Sequence, residues 1–388
     1  MKNEKSVGPN NIPAEVWKHL GNTGVELLTK WINDILNTGT MPEELRTSTL
    51  IPIFKNKGDI QECGNYREKA YDRVPREEVW NCLRLKGVPE SYVRLVQDMY
   101  RNISTEVRCQ AGKSENFELK VGVHQGSALS PLLFAVVTDC LTEEVRRSSP
   151  WDIMYADDVV TCTNNRETCE EKLVQWTRAL ERRGMKVSRT KKENLNAGNG
   201  TQRVGSISLG GERVQRVAEF KYLGSTIQED GGSEAEVSKR IQAGWNSWRN
   251  VAGVLCDRRI STKVKGGIHR TIVRPAIMYG LEATVLTKAQ ERKLEVAEMR
   301  MLRWSLGLRR GERVRNECIR ERLRVPRLQD KLREGRLRWY GYVRRRGEEY
   351  VGRRVESMKI GRRRQGRPRR RMYDCYREDM WGSRSPRA

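Results

Sequence analysis

The sequence is short of histidine (three), phenylalanine (four) and cysteine (nine) for 388 residues. The cysteines stand singly, with no CxxC pair. That spacing excludes most zinc modules and disulfide frameworks and fits a reduced, intracellular protein. No run of eighteen apolar residues occurs, which argues against a transmembrane span and a membrane partner. The opening MKNEKSVGPNNIPAE has no apolar core of the kind a secretory signal needs. Negative charge is also short, with 50 Asp and Glu against 75 Lys and Arg, a formal charge of +25. From Arg309 onward there are 28 Lys and Arg and 11 Asp and Glu, or +17, which leaves +8 for everything before. A basic region on a nearly balanced body fits a polyanion partner, most simply nucleic acid; the plainer reading is a solubilising tail. No clean amphipathic helix is legible there to suggest an anionic membrane.

What is present reads as mixed helix and strand. Residues 11–36 have helical spacing, broken near Gly21–Gly24, and Thr49 to Phe54 reads as a strand running into a basic turn. Two helices follow, separated at Gly87–Pro89, and then a β-hairpin in STEVRCQAGKSENFELKVGVHQG. Ser130-Pro131 opens a helix with Leu132, Leu133, Val136, Val137 and Cys140 on one face. WDIMYADDVVTCT reads as a hairpin with acidic residues at its tip, and Arg166 to Arg183 as a helix stopped by Gly184. EFKYLGSTIQEDGG is another strand–turn unit. Ser233 and Glu236 then suggest a capping box, ahead of a helix with Val237, Ile241, Trp245, Trp248 and Val251 on one stripe. Lys263 to Leu308 is helical again, and beyond Arg309 the pattern is arginine-rich and hard to read.

The chemistry centres on Tyr155-Ala156-Asp157-Asp158. Adjacent carboxylates among apolar strand residues are costly unless they are exposed or neutralised by cations. Such a pair can hold Mg²⁺, completed by substrate phosphates, and two ions about 4 Å apart stabilise the attacking and leaving oxygens of a phosphoryl transfer. A lone DD at a turn is otherwise a solvated surface. Here HQGSALSPLLF (His124–Phe134) precedes it and FKYLG (Phe220–Gly224) follows. With EKAYDRVP, ERRGMKVSRTKKE, KSVGPNNIPAEVW, STLIPIFKNKGD, NYR, RPAIMYG and RLRWYGYVRRR, this ordered set resembles the reverse transcriptases of non-LTR (LINE-like) retrotransposons over nearly the whole chain.

The resemblance implies an α+β fold of the right-hand polymerase type. It would comprise a truncated fingers fragment (1–67), a β-sheet palm with flanking helices (68–232), a helical thumb-like region (233–308) and a basic helical or irregular C-terminal region (309–388). It implies an RNA template, a DNA primer, dNTP substrates and Mg²⁺ or Mn²⁺, in a nuclear or alternatively cytoplasmic protein. Asp157 and Asp158 would ligate catalytic metal; Gln125 and Gly126 would lie against the incoming nucleotide, where glycine permits close backbone approach. Tyr71 would pack under the sugar, Lys191 would face the triphosphate, and Lys55, Lys57 and Arg67 would meet nucleotide phosphates or template. Phe220, Tyr222, Leu223 and Gly224 would form the primer grip. Tyr71 is alternatively readable as a core aromatic and the lysines as a solvated face, the two readings being closest to even for Lys191.

The departure lies in CGNYREKAYDRVP, Cys63 to Pro75. In the family an aspartate bridging both metals stands three residues before the lysine of KAYD. Here that position is Tyr66, whose phenol, with an ordinary pKa near 10, is a poor ligand for Mg²⁺. Asp72 does not substitute, since six residues cover roughly 20 Å of strand or 9 Å of helix. The family's stretch between NYR and KAYD has zero length here. The expectation is an internal deletion, or a gene model that skipped a segment, and a chain that does not polymerise in this form. The alternatives are a non-catalytic nucleic-acid-binding remnant and an unstable pseudogene product. An endonuclease domain, usual ahead of the fingers in such members, is not expected before Lys5. In RRRQGRPRRR, Arg362, Arg363, Arg364, Arg367, Arg369, Arg370 and Arg371 read as a nucleic-acid-binding run. Its Gly-Arg-Pro core is similar to an AT-hook that lays Arg367 into a narrow minor groove, against a plainer phosphate-binding or nuclear-import patch.

Overall fold

The computed structural model describes residues 16, 19–43, 46–52, 59, 62, 73–109, 112–123, 127, 129–147, 152–156, 158–185, 187–188, 192–196, 206–309, 311–357 and 370–381. They fall into two compact units, Met1–Lys192 with Gly205–Val214, and Glu193–Val204 with Gln215–Ala388.

In the first unit, α1 (Gly21–Thr38) begins at the expected glycine interruption, and β1 covers Thr47–Leu50. α2 (Arg76–Leu85) and α3 (Glu90–Met99) are separated where Gly87 and Pro89 predict. In α2, Val79, Trp80 and Leu83 recur at helical spacing and are buried. β2 (Ser104–Cys109) pairs in parallel with β1 and antiparallel with β3 (Gly112–Lys113) and β4 (Phe117–Glu118), giving a four-stranded sheet and the expected hairpin. α4 (Ser130–Arg147) buries Leu133, Val137 and Leu141, four residues apart, into one cluster with Trp80, Val93 and Ile103. Leu132, placed on that face from sequence, is 59% exposed, because one residue is a 100° step around the helix. β5 (Asp152–Tyr155) and β6 (Asp158–Thr161) form an antiparallel pair. α5 (Arg166–Glu181) follows, its first turn capped by Asn165 Oδ1, which accepts from the Thr168 amide at 2.9 Å.

In the second unit, β7 (Glu219–Tyr222) and β8 (Ser225–Gln228) make a hairpin in front of α6 (Glu234–Asn250). Val237 and Trp248 of the predicted stripe are buried, with Ile241, Trp245 and Val251 packed against them. The capping box is not formed. The Ser233 hydroxyl donates to the Val285 carbonyl at 3.0 Å, and Glu236 turns back to accept from the Thr226 amide at 2.6 Å. A hairpin amide competes better for that carboxylate than the helix's own first turn. The chain continues through α7 (Thr262–Ile268), a π-turn at His269–Val273, α8 (Arg274–Met278) and α9 (Lys288–Ser305).

The described part of the arginine-rich stretch that is hard to read from sequence is largely helical: α10 (Asn316–Leu323), α11 (Leu328–Arg344), α12 (Val351–Ser357) and α13 (Met372–Trp381). Leu328 and Leu332 join the core of α6, α8 and α9, and Ile319, Leu323 and Val325 close a second cluster with Met299 and Leu302. Some of the basic charge is spent internally. Arg336 forks onto both Asp379 oxygens at 2.6 and 3.0 Å and reaches Glu291 at 3.1 Å. Arg320 and Arg274 converge on the buried Glu298.

Candidate functional site

Tyr155 pairs with Asp158 across the ribbon, and Ala156 just after Tyr155 has the positive φ, 52°, that tight hairpin turns demand. The pleat puts Ile153, Tyr155 and Asp158 on one face. Ile153 is 44% and Tyr155 63% exposed, and among the described residues no third strand pairs with this ribbon. Its root is anchored by a buried ion pair, Lys172 Nζ of α5 lying 4.0 Å from Asp152 Oδ2. Partial burial pushes the nearby Cys169 thiol above its ordinary pKa, which makes it a poor nucleophile. Asp158 is thus an exposed carboxylate on a hairpin whose root faces a buried lysine.

The segment leading toward Gln125 is held by a residue that sequence reading overlooked. Arg76 donates to three carbonyls, Gly122 at 3.1 Å, Tyr100 at 3.1 Å and Leu119 at 2.6 Å, and lies over the Tyr100 ring. The Gly122 amide in turn donates to the Val74 carbonyl at 3.0 Å. Burial pulls the guanidinium's pKa down, against the opposing influence of Tyr100 and Glu118, but an arginine stays charged. Arg76→Leu strands three partly buried acceptors and is expected to cost about 3 kcal/mol, read as a lower urea midpoint at unchanged slope. In sequence, Arg76 is only one of many arginines.

The FKYLG element forms β7 and its turn. Phe220 and Tyr222 stack with ring centroids 6.4 Å apart. Leu223 and Gly224 make the two-residue turn, at φ 48° and 84°. The Tyr279 hydroxyl donates to the Leu223 carbonyl at 2.7 Å, and Arg240 donates to the Gly224 carbonyl. Arg240 also pairs with Glu236 at 2.9 Å and lies 5.1 Å from the Tyr279 ring centroid. Glu236 and Arg240 stand four apart on α6, a spacing that could have flagged the pair.

Lys55, Lys57, Tyr66, Arg67, Tyr71, Gln125, Gly126, Asp157, Lys191, Arg362, Arg363, Arg364, Arg367 and Arg369 lie outside the described residues. Arg370 and Arg371 do not. Arg370 is engaged within its unit, donating to the Leu286 carbonyl at 2.7 Å and to the Glu378 carboxylate. The Arg371 amide donates to Asp374 Oδ2 at 2.9 Å, which leaves its side chain outside that bond. Among the described residues no group of three His, Cys, Asp or Glu could hold a metal ion.

Residues 67–227 match the family model described as reverse transcriptase (RNA-dependent DNA polymerase). This segment is a reverse transcriptase domain. The chain is 24% identical over 278 residues to the RNA-directed DNA polymerase from mobile element jockey of Drosophila melanogaster, covering 68% of this chain and 30% of that one. It is 25% identical over 206 residues to a transposon-derived protein of Caenorhabditis elegans, covering 50% of this chain and 72% of that protein. It is 28% identical over 186 residues to the Pol polyprotein of the type-2 retrotransposable element R2DM of D. melanogaster, covering 42% and 17%. The reverse transcriptase domain is therefore related to non-LTR retrotransposon polymerases, and the chain spans under a third of the jockey polymerase's length. Such domains bind a nucleic-acid template and primer and use divalent metal ions. No helix among the described residues is long and apolar enough to cross a membrane.

Proposed function

We propose that this chain binds an RNA template and a DNA primer in the manner of a right-hand polymerase but does not extend the primer in this form. The observation that carries this reading is the β5–β6 ribbon. It presents Asp158 on a largely exposed face with no third strand paired to it among the described residues, and the sequence has Tyr66 where the bridging aspartate of the resembled family would stand. The two carboxylates of YADD fit one hard cation completed by phosphate oxygens and water, whereas a bridged pair of ions calls for a further ligand. Asp157 and Asp158 would hold Mg²⁺ or Mn²⁺, and the ion would supply neutralising charge against a triphosphate. The start of the family match at Arg67, beside Tyr66, supports a junction at that point.

Primer extension on an RNA template, with Asp157→Ala as control, tests the reading. Incorporation by the native chain is expected to be no higher than by the variant; template-dependent dNTP addition abolished by Asp157→Ala would overturn it. Binding is tested apart from chemistry. A truncation at 309 would remove the core leucines Leu328 and Leu332, so the basic run is better probed by serine at Arg362, Arg363, Arg364, Arg367 and Arg369. Log affinity falls against log salt with a slope of about 0.7–0.9 for every phosphate neutralised, so the serine variant should bind with a shallower salt dependence. The same run would direct a nuclear location, and its serine variant would then be cytoplasmic by fluorescence.

A further inference from the structure

The tip of the β7–β8 hairpin combines strain with restraint. Leu223 sits in the left-handed region at φ 48°, where a two-residue hairpin turn ordinarily carries Asn or Gly. Its side chain is 40% exposed, so burial does not explain why a leucine occupies a conformation that disfavours it. Such strain persists only where the surroundings impose it, and here four separate contacts do so. Tyr279 takes the Leu223 carbonyl, Arg240 takes the Gly224 carbonyl, and Glu236 takes the Thr226 amide. Gly280, at φ 75°, comes so close that an added Cβ would lie 2.6 Å from Ser225 Oγ. The strands are tied to the same helix at their other ends, Lys239 to Glu219 at 2.7 Å and the Ala235 amide to the Gln228 side chain at 2.7 Å. Residues 235, 236, 239 and 240 share one face of α6.

We propose that Tyr279 and Arg240 are positioning residues that hold the Leu223–Gly224 turn in the conformation that presents the exposed Leu223 to the sugar-phosphate edge of a primer strand at its 3′ end. The proposal rests on the reading of Phe220–Gly224 as a primer grip and extends it to residues of α6 and the loop after α8. Tyr279 and Arg240 act on the nucleic acid only through the turn.

Because binding is read without catalysis, the full chain can be used as it is. Fluorescence anisotropy compares an RNA–DNA hybrid with a recessed DNA 3′ end against the same hybrid made blunt. The native chain is expected to favour the recessed end. Tyr279→Phe and, independently, Arg240→Lys should each reduce that preference about fivefold, the scale of one hydrogen bond, with blunt-hybrid affinity and melting temperature little changed. Hydrogen exchange at the amides of Gly224 and Ser225 should quicken in both variants. Leu223→Asn separates a positioning role from mere scaffolding, since it relieves the strain and should raise the melting temperature while lowering the 3′-end preference. A native chain with no 3′-end preference would overturn the primer-grip reading itself. A preference lost in Phe220→Ala but intact in Tyr279→Phe and Arg240→Lys would overturn the positioning role and leave the grip standing.

Discussion

Replacing Gly266 with alanine is expected to produce the largest loss of stability of any single-methyl change in the second unit. Gly266 lies in α7, buried against the last turn of α10, and an added Cβ would sit 1.7 Å from the Leu323 carbonyl oxygen and 2.7 Å from its carbon. No rotamer relieves a clash between a Cβ and a backbone carbonyl, so the two helices must separate. The separation would open the cluster that Ile319, Leu323 and Val325 form with Leu302. It would also pull on the bond from Arg270 to the Arg324 carbonyl, 2.7 Å long. Overpacking of this kind costs about 3 kcal/mol, more than the ~1 kcal/mol that alanine gains over glycine in a helix. The neighbouring Gly267→Ala is the internal control, because nothing lies within 4 Å of its added Cβ. That variant should be stabilised by up to about 1 kcal/mol. Urea denaturation followed by tryptophan fluorescence distinguishes the two, and equal effects at both positions would contradict the close approach of α7 and α10.

The contrast between these two glycines shows what could be read from the sequence and what could not. Turn chemistry is local, so the separation of α2 from α3 at Gly87–Pro89 and the three hairpins follow from the residues themselves. The apolar stripe of α6 is legible for the same reason, since its period is written along one helix. Pairings between distant segments are not written locally. Glu236 looks like a capping residue three after Ser233 until the hairpin amide of Thr226 appears beside it. The region beyond Arg309 reads as a basic tail because arginines far outnumber the leucines spaced among them, while the carboxylates that neutralise Arg320 and Arg336 lie on another helix or beyond the arginine run. At the candidate site the sequence indicated the YADD ribbon and the FKYLG turn, and both have the expected hairpin form. It gave no hint of Arg76 or of the use to which Tyr279 is put, and of Arg240 only the four-residue spacing from Glu236.

Glu298 carries the other large effect. Its carboxylate is fully buried on α9, and three cationic or potentially cationic groups close on it: Arg274 Nε at 2.8 Å, Arg320 Nη1 at 3.2 Å and His269 Nε2 at 3.3 Å. Arg320 is also held by Glu295 at 3.2 Å and Arg274 by the Pro326 carbonyl at 2.7 Å, so neither can swing out to water cheaply. Glu298→Ala therefore leaves two buried guanidinium groups short of their counter-ion, and about 3–5 kcal/mol should be lost. Glu298→Gln keeps the shape and one acceptor, and should lose less. The pH dependence has a definite sign. Burial alone would raise the carboxyl's pKa, but the hydrogen bond from His269 and the charge of Arg274 outweigh it and hold the folded-state value below the ordinary one. A depressed folded-state pKa gives stability that is fully present above the unfolded value, near 4.3. That stability drains away as pH falls through the folded value. Urea midpoints measured from pH 7 downward should hold until about pH 4.5 and then fall in the native chain. In Glu298→Gln, already weaker at neutral pH, that part of the fall should be missing, so the two curves converge in acid. Parallel curves across the whole range would mean that Glu298 is not ionised in the folded protein.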